Sequence, residues 1–521
     1  METFSPSQPV VKLINYFNKP YDNAIATART CYSSRVIYTD EVSKDEKAKR
    51  LRDSIAASTY EAGHHTTLQH ATFQFVLEKV SRQFIWSFLH SHPFYNSEQV
   101  SQRYVAVKPG SYYIPELDQT AQAVYVETAN LQMDAYHQLN ELLWEDASNA
   151  FFKLFPARRA KADEYQNQIK KKVQEISRYI LPVATYAHLY HTVSGLTLHR
   201  YHKLQRAFDT PLEQQQVIDG MIQAVLEKDP EFMKQANDPI PLDQTPEYGL
   251  FRTFQETGWN TSSEFVDEFD RTLDGGCSKL IDYKVNAEKS MAQSIRDIFG
   301  VTESQLSDGE ALDRVMNPSK NPYLAERLNL NAHTKLSRTM VHPHFTFRKK
   351  LSHTADSQDQ RHRMTPGTRP VLQRQFVASR PDYITPPLIA NNAKANAFYQ
   401  ETMNTIWNNV TKLLNHGVSV DLAMYLLPNA FPIRFEESGD LLNFHHKWTS
   451  RLCYTAQEEI WKASLEEVLQ VKEVHPVLAD YLLPPCGLRS VANRQPYCPE
   501  GNRFCGVPVW RTKREEYVRT L

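Results

Sequence analysis

The chain carries its own repeat. Residues 12–16, Lys-Leu-Ile-Asn-Tyr, return as Lys-Leu-Ile-Asp-Tyr at 279–283, and at the same spacing Arg29 falls on Arg296. Phe73-Gln74-Phe75 corresponds to Phe345-Thr346-Phe347, in each case an alternating, strand-like stretch preceded by a histidine, His70 or His342. Residues 176–182, ISRYILP, match 422–428, LAMYLLP, each the end of an apolar-periodic helix stopped by proline. Matches in one order along the chain are expected of a duplication, in which the second half folds as the first half does; the competing reading is two unrelated α/β domains that share common helix and strand patterns. The 521-residue length fits, because a single ordinary core does not extend that far.

The repeat sets the expected boundaries: a first copy at 9–235, a linker at 236–275, a second copy at 276–470 and a C-terminal extension at 471–521. The linker, with NDPIPLDQTPEYG and a closing Asp274-Gly275-Gly276, reads as a segment with little structure of its own. Each copy combines short strands with amphipathic helices such as 121–155 and 394–415. The class expected is therefore α+β, with a mixed sheet and packed helices in each copy.

Composition narrows the function. With 41% hydrophobic and 23% charged residues, the chain has the make-up of a soluble globular protein. A formal net charge of −1 argues against wrapping nucleic acid by bulk charge but permits a local anion pocket. The start, METFSPSQPVVKL, lacks the basic-then-apolar order of a secretory signal. No apolar run approaches the roughly 18 residues needed to span a membrane. Six cysteines are too few for a disulfide scaffold at this length, so a reducing, cytoplasmic setting is expected.

Several segments resemble one known family. In the first copy these are ATARTCYSS (26–34), GHHTTLQHATFQFVLEKVSRQF (63–84), YNSEQVSQRYV (95–105) and ISRYILPVATYAHLYHTV (176–193). In the second they are QDQRHRM (358–364) and RLCYTAQEEI (451–460). All are similar to the flavin-dependent thymidylate synthases, whose most diagnostic triplet is Arg-His-Arg. The resemblance implies two tandem copies of that fold and the reductive methylation of dUMP to dTMP. In that chemistry FAD takes hydride from NADPH and passes the methylene of methylenetetrahydrofolate to C5 of the uracil. Because the flavin carries the hard chemistry, the protein supplies placement and charge. A phosphate needs bidentate guanidinium groups, and an activated uracil needs donors at its carbonyls.

Neither copy is complete against the family pattern. In the first, Leu89-His90-Ser91 takes the place of the triplet and Trp86 that of the preceding Gln. It keeps Ser101 and Arg103 of the nucleotide loop, Glu98 or Gln99 ahead of them, and Arg178. The second keeps Gln358, Arg361, His362, Arg363 and Arg451, but Met424 replaces the helix arginine and no Ser-x-Arg follows the triplet. Asp440, Leu442 and His446 stand where the family commonly has Asn, Arg and a polar or His residue.

These losses are complementary, and the expectation is one composite nucleotide site. The first copy would supply Ser101, Arg103 and Arg178 with Glu98 or Gln99, and the second Gln358, Arg361 and Arg451. By the same likeness the flavin contacts are His64, Thr66, His90, Arg361, His362, Arg363 and His446. A homodimer would rebuild the family's four-lobed assembly. Two alternatives are a regulatory paralogue that binds a pyrimidine nucleotide without catalysis and an enzyme that methylates a different pyrimidine. Modification of uracil within nucleic acid is disfavoured by the neutral charge.

Four of the six cysteines, Cys453, Cys486, Cys498 and Cys505, gather in a Pro- and Gly-rich C-terminal stretch. Four thiolates could close a tetrahedral zinc site or hold an iron–sulfur cluster, with His445 or His446 as a substitute ligand. The spacing lacks a tight Cys-x-x-Cys knuckle, which leaves ordinary buried cysteines as the competing reading.

Overall fold

The computed structural model describes residues 5–207, 210–256 and 262–519. Two four-stranded sheets carry the repeat. The first, ordered β1-β2-β4-β3, is built from β1 (Val10–Tyr16), β2 (Thr72–Ser81), β3 (Asn96–Gln99) and β4 (Tyr186–Ser194). The second, ordered β5-β6-β8-β7, is built from β5 (Ser278–Tyr283), β6 (His344–Ser352), β7 (Gly367–Thr368) and β8 (Pro432–Asp440). The repeated pentapeptides are β1 and β5. The Phe-x-Phe pairs lie in β2 and β6, where strand alternation buries both rings of each pair on one face.

The α+β class and the two copies stand. The strand sense differs from expectation: every named pair is antiparallel, so neither sheet is mixed. β4 alternates buried and more exposed side chains, the pattern of an antiparallel sheet with one wetter face.

Both copies end their second strand in the same device. Ser81 caps the helix Arg82–His90 by accepting the Phe84 N–H at 2.8 Å, and Ser352 caps His353–Asp359 by accepting that of Ala355 at 3.1 Å. Behind each cap stands a glutamate. Glu213 accepts from the Ser81 N–H and hydroxyl at 2.6 and 2.7 Å, and Glu459 from those of Ser352 at 2.5 and 2.6 Å. Tyr425 donates to Glu213 and Tyr179 donates to Glu459, each at 2.6 Å. In both cases the tyrosine comes from the other copy.

The compact units therefore do not coincide with the copies. One takes Met1–Leu131, Pro182–Thr261 and Asn408–Leu427 among the described residues; the other takes Gln132–Leu181, Ser262–Trp407 and Pro428–Leu521. In the first, Val183 and Ala184 donate to the carbonyls of Leu427 and Tyr425; in the second, Asn429 and Ala430 donate to those of Leu181 and Tyr179.

The expected linker is not bare. It carries the helices Pro246–Glu256 and Ser262–Thr272, while 257–261 lie outside the described residues. The second helix buries Val266 and Phe269, and its Asp270 pairs with Arg434 and Lys350. The spacing of Val266, Phe269 and Leu273 was the available helical signal. The helix expected over 121–155 is interrupted at Leu143, between Gln119–Leu142 and Trp144–Leu154. Among the described residues no helix is long and apolar enough to cross a membrane.

Candidate active site

In the second unit the helix His353–Asp359 delivers the chain directly into Arg361-His362-Arg363. The turn closes with the Arg361 N–H on the Gln358 carbonyl at 3.3 Å and the His362 N–H on that of Asp359 at 2.9 Å. Arg451, the last residue of the helix Leu441–Arg451, returns to the same turn. Its Nε donates to His362 Nε2 at 2.9 Å and its Nη2 to the Gln358 carbonyl at 2.8 Å. Accepting at Nε2 leaves the His362 proton on Nδ1. Burial, reinforced by the charges of Arg451 and Lys447, keeps the ring neutral by holding its pKa well below the usual value.

The His446 ring meets His362 edge-on, 5.9 Å between centroids. Gln358 Nε2 is buried without a hydrogen-bond partner, a donor aimed at an acceptor the protein itself does not supply. Arg361 is exposed and Arg363 half-buried. Arg178 lies in this same unit, 4% exposed, with its Nε on the Glu175 carbonyl at 3.2 Å and its charge acting on Glu459. Gln358, His362, His446 and Arg451 are thus gathered at one place.

Under the turn lies a set of charges that the sequence reading missed. Lys349 meets Asp359, Glu437 and Glu467 at 3.0, 2.9 and 2.9 Å, and Lys447 meets Asp359 at 2.8 Å as well as Glu437. All five side chains are buried. Thr365, Ser278 and the Trp448 indole N–H supply further hydrogen bonds to the glutamates. A signal was present, because the alternation of Phe345, Phe347 and Leu351 puts Lys349 on the inward face.

The first unit holds the remaining sequence-predicted residues. The Ser101 hydroxyl accepts the Arg103 N–H at 3.3 Å, and its carbonyl accepts the N–H groups of Tyr104 and Val105, so the Ser-x-Arg segment is a tight turn. The Arg103 guanidinium lies 5.6 Å from the centre of the Tyr104 ring. Gln99 is fixed by Arg82 Nη1 at 3.0 Å, and Arg82 Nη2 donates to the Val100 carbonyl, while Glu98 is exposed. Arg82 thereby anchors the loop. A cleft of about 400 Å3 beside this loop is lined by Lys79, Arg82, Lys108 and His188 against Glu78, an arrangement suited to an anion.

His64 and Thr66 are exposed on the turn around His65–His70, where His65 Nε2 sits 2.8 Å from the Tyr60 carbonyl. His90 Nδ1 donates to the Trp86 carbonyl at 2.8 Å. Placing Ser352 on Ser81 puts Gln358 on Ser87 and the triplet on His90-Ser91-His92, one residue later than the sequence comparison had it. The first copy lacks both arginines in either register.

In the second copy Arg361 and Arg363 share one turn with Gln358, a donor set of the kind an anionic flavin nucleotide requires. The substituted positions there serve other ends: Asp440 caps its helix by accepting the Asn443 N–H at 2.9 Å, and Leu442 packs against the apolar core.

The metal centre expected at Cys453, Cys486, Cys498 and Cys505 is not shown. Among the described residues no three His, Cys, Asp or Glu side chains are placed to hold a metal ion. Cys486 and Cys505 pack on an apolar cluster with Tyr454, Trp461 and Tyr517, and Cys453 hydrogen-bonds Thr455 at 3.2 Å. Burial, then the neighbouring Cys453, Cys498 and Cys505, push the Cys486 thiol up to about 12, which favours thiol over thiolate.

Comparison with known proteins bears on both copies. The family described as thymidylate synthase complementing protein matches residues 12–231 and again 279–477. A flavin-dependent thymidylate synthase of Clostridium tetani is 23% identical over 243 residues, 46% of this chain and 90% of that protein. One of Nitratidesulfovibrio vulgaris is 30% identical over 181 residues, 33% of this chain and 71% of that protein. Among solved structures, a UMP/dUMP methylase from Streptomyces cacaoi bound with 5-Br dUMP aligns with a TM-score of 0.30 and 17% identity, over 44% of this chain and 94% of that one. With both halves matched, the chain belongs to the thymidylate synthase complementing protein family, as two tandem copies of its fold.

Proposed function

We propose that this methyltransferase-type enzyme makes dTMP by reductive methylation of dUMP, with FAD as cofactor and NADPH and methylenetetrahydrofolate as co-substrates. The observation that carries this reading is the gathering of Gln358, His362 and Arg451 at the triplet, with Gln358 Nε2 unpartnered. Arg361, Arg451 and Arg178 bind the nucleotide phosphate, and Gln358 donates to a substrate oxygen. Ser101 and Arg103, with Glu98 or Gln99, complete the nucleotide site from the first copy. Arg361, His362, Arg363 and His446 hold FAD, and His64, Thr66 and His90 take part by family likeness. Bound FAD supplies hydride and one-carbon transfer, so no residue of this chain has to act as a nucleophile. His362, neutral and accepting from Arg451, keeps that guanidinium oriented. The working assembly is a cytoplasmic homodimer.

Purified protein incubated with FAD is expected to retain the visible flavin band, and Arg361→Ala and Arg103→Ala are each expected to abolish dUMP binding in calorimetry. Normal binding by either variant refutes the composite site. A chain that binds dUMP, keeps no flavin and turns nothing over is instead the regulatory paralogue.

A further inference from the structure

One carboxylate of the second unit reaches both copies, at the places where each brings an arginine. Glu459 Oε1 accepts the Ser352 N–H at 2.5 Å, and Oε2 accepts the hydroxyls of Ser352 and Tyr179, each at 2.6 Å. Three donors on two oxygens leave this side chain little freedom.

The serine leads to the arginines of the second copy. Ser352 is fully buried and caps the helix His353–Asp359, which delivers the chain into Arg361. Arg451 returns to the same turn through Gln358 and His362. The tyrosine leads to the arginine of the first copy. Tyr179 is 2% exposed and follows Arg178 in the short turn Arg178–Ile180. The backbone of that turn is held by Asn429 Nδ2, on the Arg178 carbonyl at 3.0 Å, and by the Ala430 N–H, on the Tyr179 carbonyl at 2.9 Å. The Tyr179 hydroxyl also accepts from Gln457 Nε2. The charge of Arg178 is felt by both Tyr179 and Glu459.

The first unit contains the same triangle, Glu213 with Ser81 and Tyr425, at 2.6, 2.7 and 2.6 Å. There the residue ahead of the tyrosine is Met424. The triangle is therefore an element of the fold in both units, but only in the second does its tyrosine follow an arginine. Guanidinium groups that share one anion must be held to within about 0.5 Å of their working places, which a tether common to both achieves.

We propose that Glu459 and Tyr179 are positioning residues for the nucleotide phosphate, holding Arg178 of the first copy in register with the turn that carries Arg361 and receives Arg451. This role rests on those three arginines being the phosphate ligands of the dUMP site.

The test is calorimetric titration of the full chain with dUMP, in the presence of FAD. Tyr179→Phe is expected to lower dUMP affinity about tenfold, whereas Tyr425→Phe, its counterpart beside Met424, is expected to stay within about twofold of the parent. Glu459→Gln, which replaces one of the two acceptor oxygens by a donor, should repeat the loss; circular dichroism establishes folding, and Tyr179→Phe decides the matter if Glu459→Gln is not folded. A double-mutant cycle separates positioning from general support of the fold. Arg178→Lys alone is expected to cost about tenfold, and Tyr179→Phe added to it less than about twofold more, because the tyrosine acts through the arginine. A parent that binds no dUMP overturns the phosphate roles and this one with them. If the parent binds, unchanged affinity in Tyr179→Phe or in Arg178→Lys overturns the positioning role. So does an equal loss in Tyr425→Phe, or a full tenfold loss added by Tyr179→Phe to Arg178→Lys, since the tyrosine then serves only the fold.

Discussion

At five corresponding positions the two copies bury opposite chemistries. Leu77 and Lys349 occupy the same place in the ladder, opposite Leu189 and Phe435. Phe88 and Asp359 follow their capping serines by the same count, and His191 and Glu437 precede the caps Ser194 and Asp440 by the same count. Tyr201 and Lys447 lie on the helices that follow, and Met221 and Glu467 correspond on the helices bearing Glu213 and Glu459. In the first copy, four of these side chains belong to one apolar core, and His191 is held by Tyr201 at 3.0 Å and Ser97 at 2.6 Å. In the second, all five carry charge and are buried. Burial opposes the charge on Lys349, yet Asp359, Glu437 and Glu467 hold its pKa well above the usual value. The ladders, caps and glutamates are common to both copies, so they define the fold, and the core chemistry can vary within it. The ionic version sits under the copy that keeps Arg-His-Arg, two residues before which stands Asp359.

The largest effect is expected from mixing the two chemistries. Lys349→Leu alone leaves three buried carboxylates to one lysine and should cost about 3–5 kcal/mol in denaturant unfolding. Replacing all five residues together by those of the first copy should recover most of that loss, since apolar substitution of a whole buried ion set is often neutral. A combined variant no more stable than Lys349→Leu would show that the positions are not equivalent.

Acid separates the copies next. Burial, with His92 adding, pushes His191 from 6.5 down to about 3, so the neutral ring contributes stability above pH 6.5 that is lost as pH falls towards 3. Urea midpoints measured across that window should decline less steeply in His191→Gln. An unchanged slope would remove His191 as the cause.

A smaller effect is expected at the capping glutamates. Tyr425→Phe and Tyr179→Phe each remove one hydrogen bond to a buried carboxyl group, about 1–3 kcal/mol. Because the Tyr179 hydroxyl also accepts from Gln457 Nε2, Tyr179→Phe should lose somewhat more, and a loss confined to Tyr425→Phe breaks the comparison there. Least of all, Lys79 sits at φ 56° beside a ladder irregularity that the second copy lacks. Lys79→Gly should stabilise by about 1 kcal/mol in thermal unfolding, because glycine adopts that conformation without strain.

Much of the fold was legible. The repeated pentapeptide marked β1 and β5, the Phe pairs marked β2 and β6, and the Pro-stopped motifs marked the shared ends before β4 and β8. The triplet, Gln358 and Arg451 were legible as members of one pattern, and the structure brings them within hydrogen-bonding distance. For the cysteines the sequence offered a cluster, and the fold brings Cys453, Cys498 and Cys505 near enough to act on the Cys486 thiol while an aromatic wall sets the packing of Cys486 and Cys505. The linker was misread because its turn residues masked a short helical period.

From the sequence alone came the duplication, the α+β class and the complementary loss of half-motifs, since these are carried by local periodicity and by order along the chain. Only the tertiary structure revealed that Tyr179 serves Glu459 and Tyr425 serves Glu213, and that Arg178 shares a unit with Arg451. Likewise, a lysine on an inward strand position is a puzzle until Asp359, Glu437 and Glu467 are seen around it. The physical reason is the same in each case: a buried charge or hydroxyl is made stable by partners far away in the chain, and no local pattern names them.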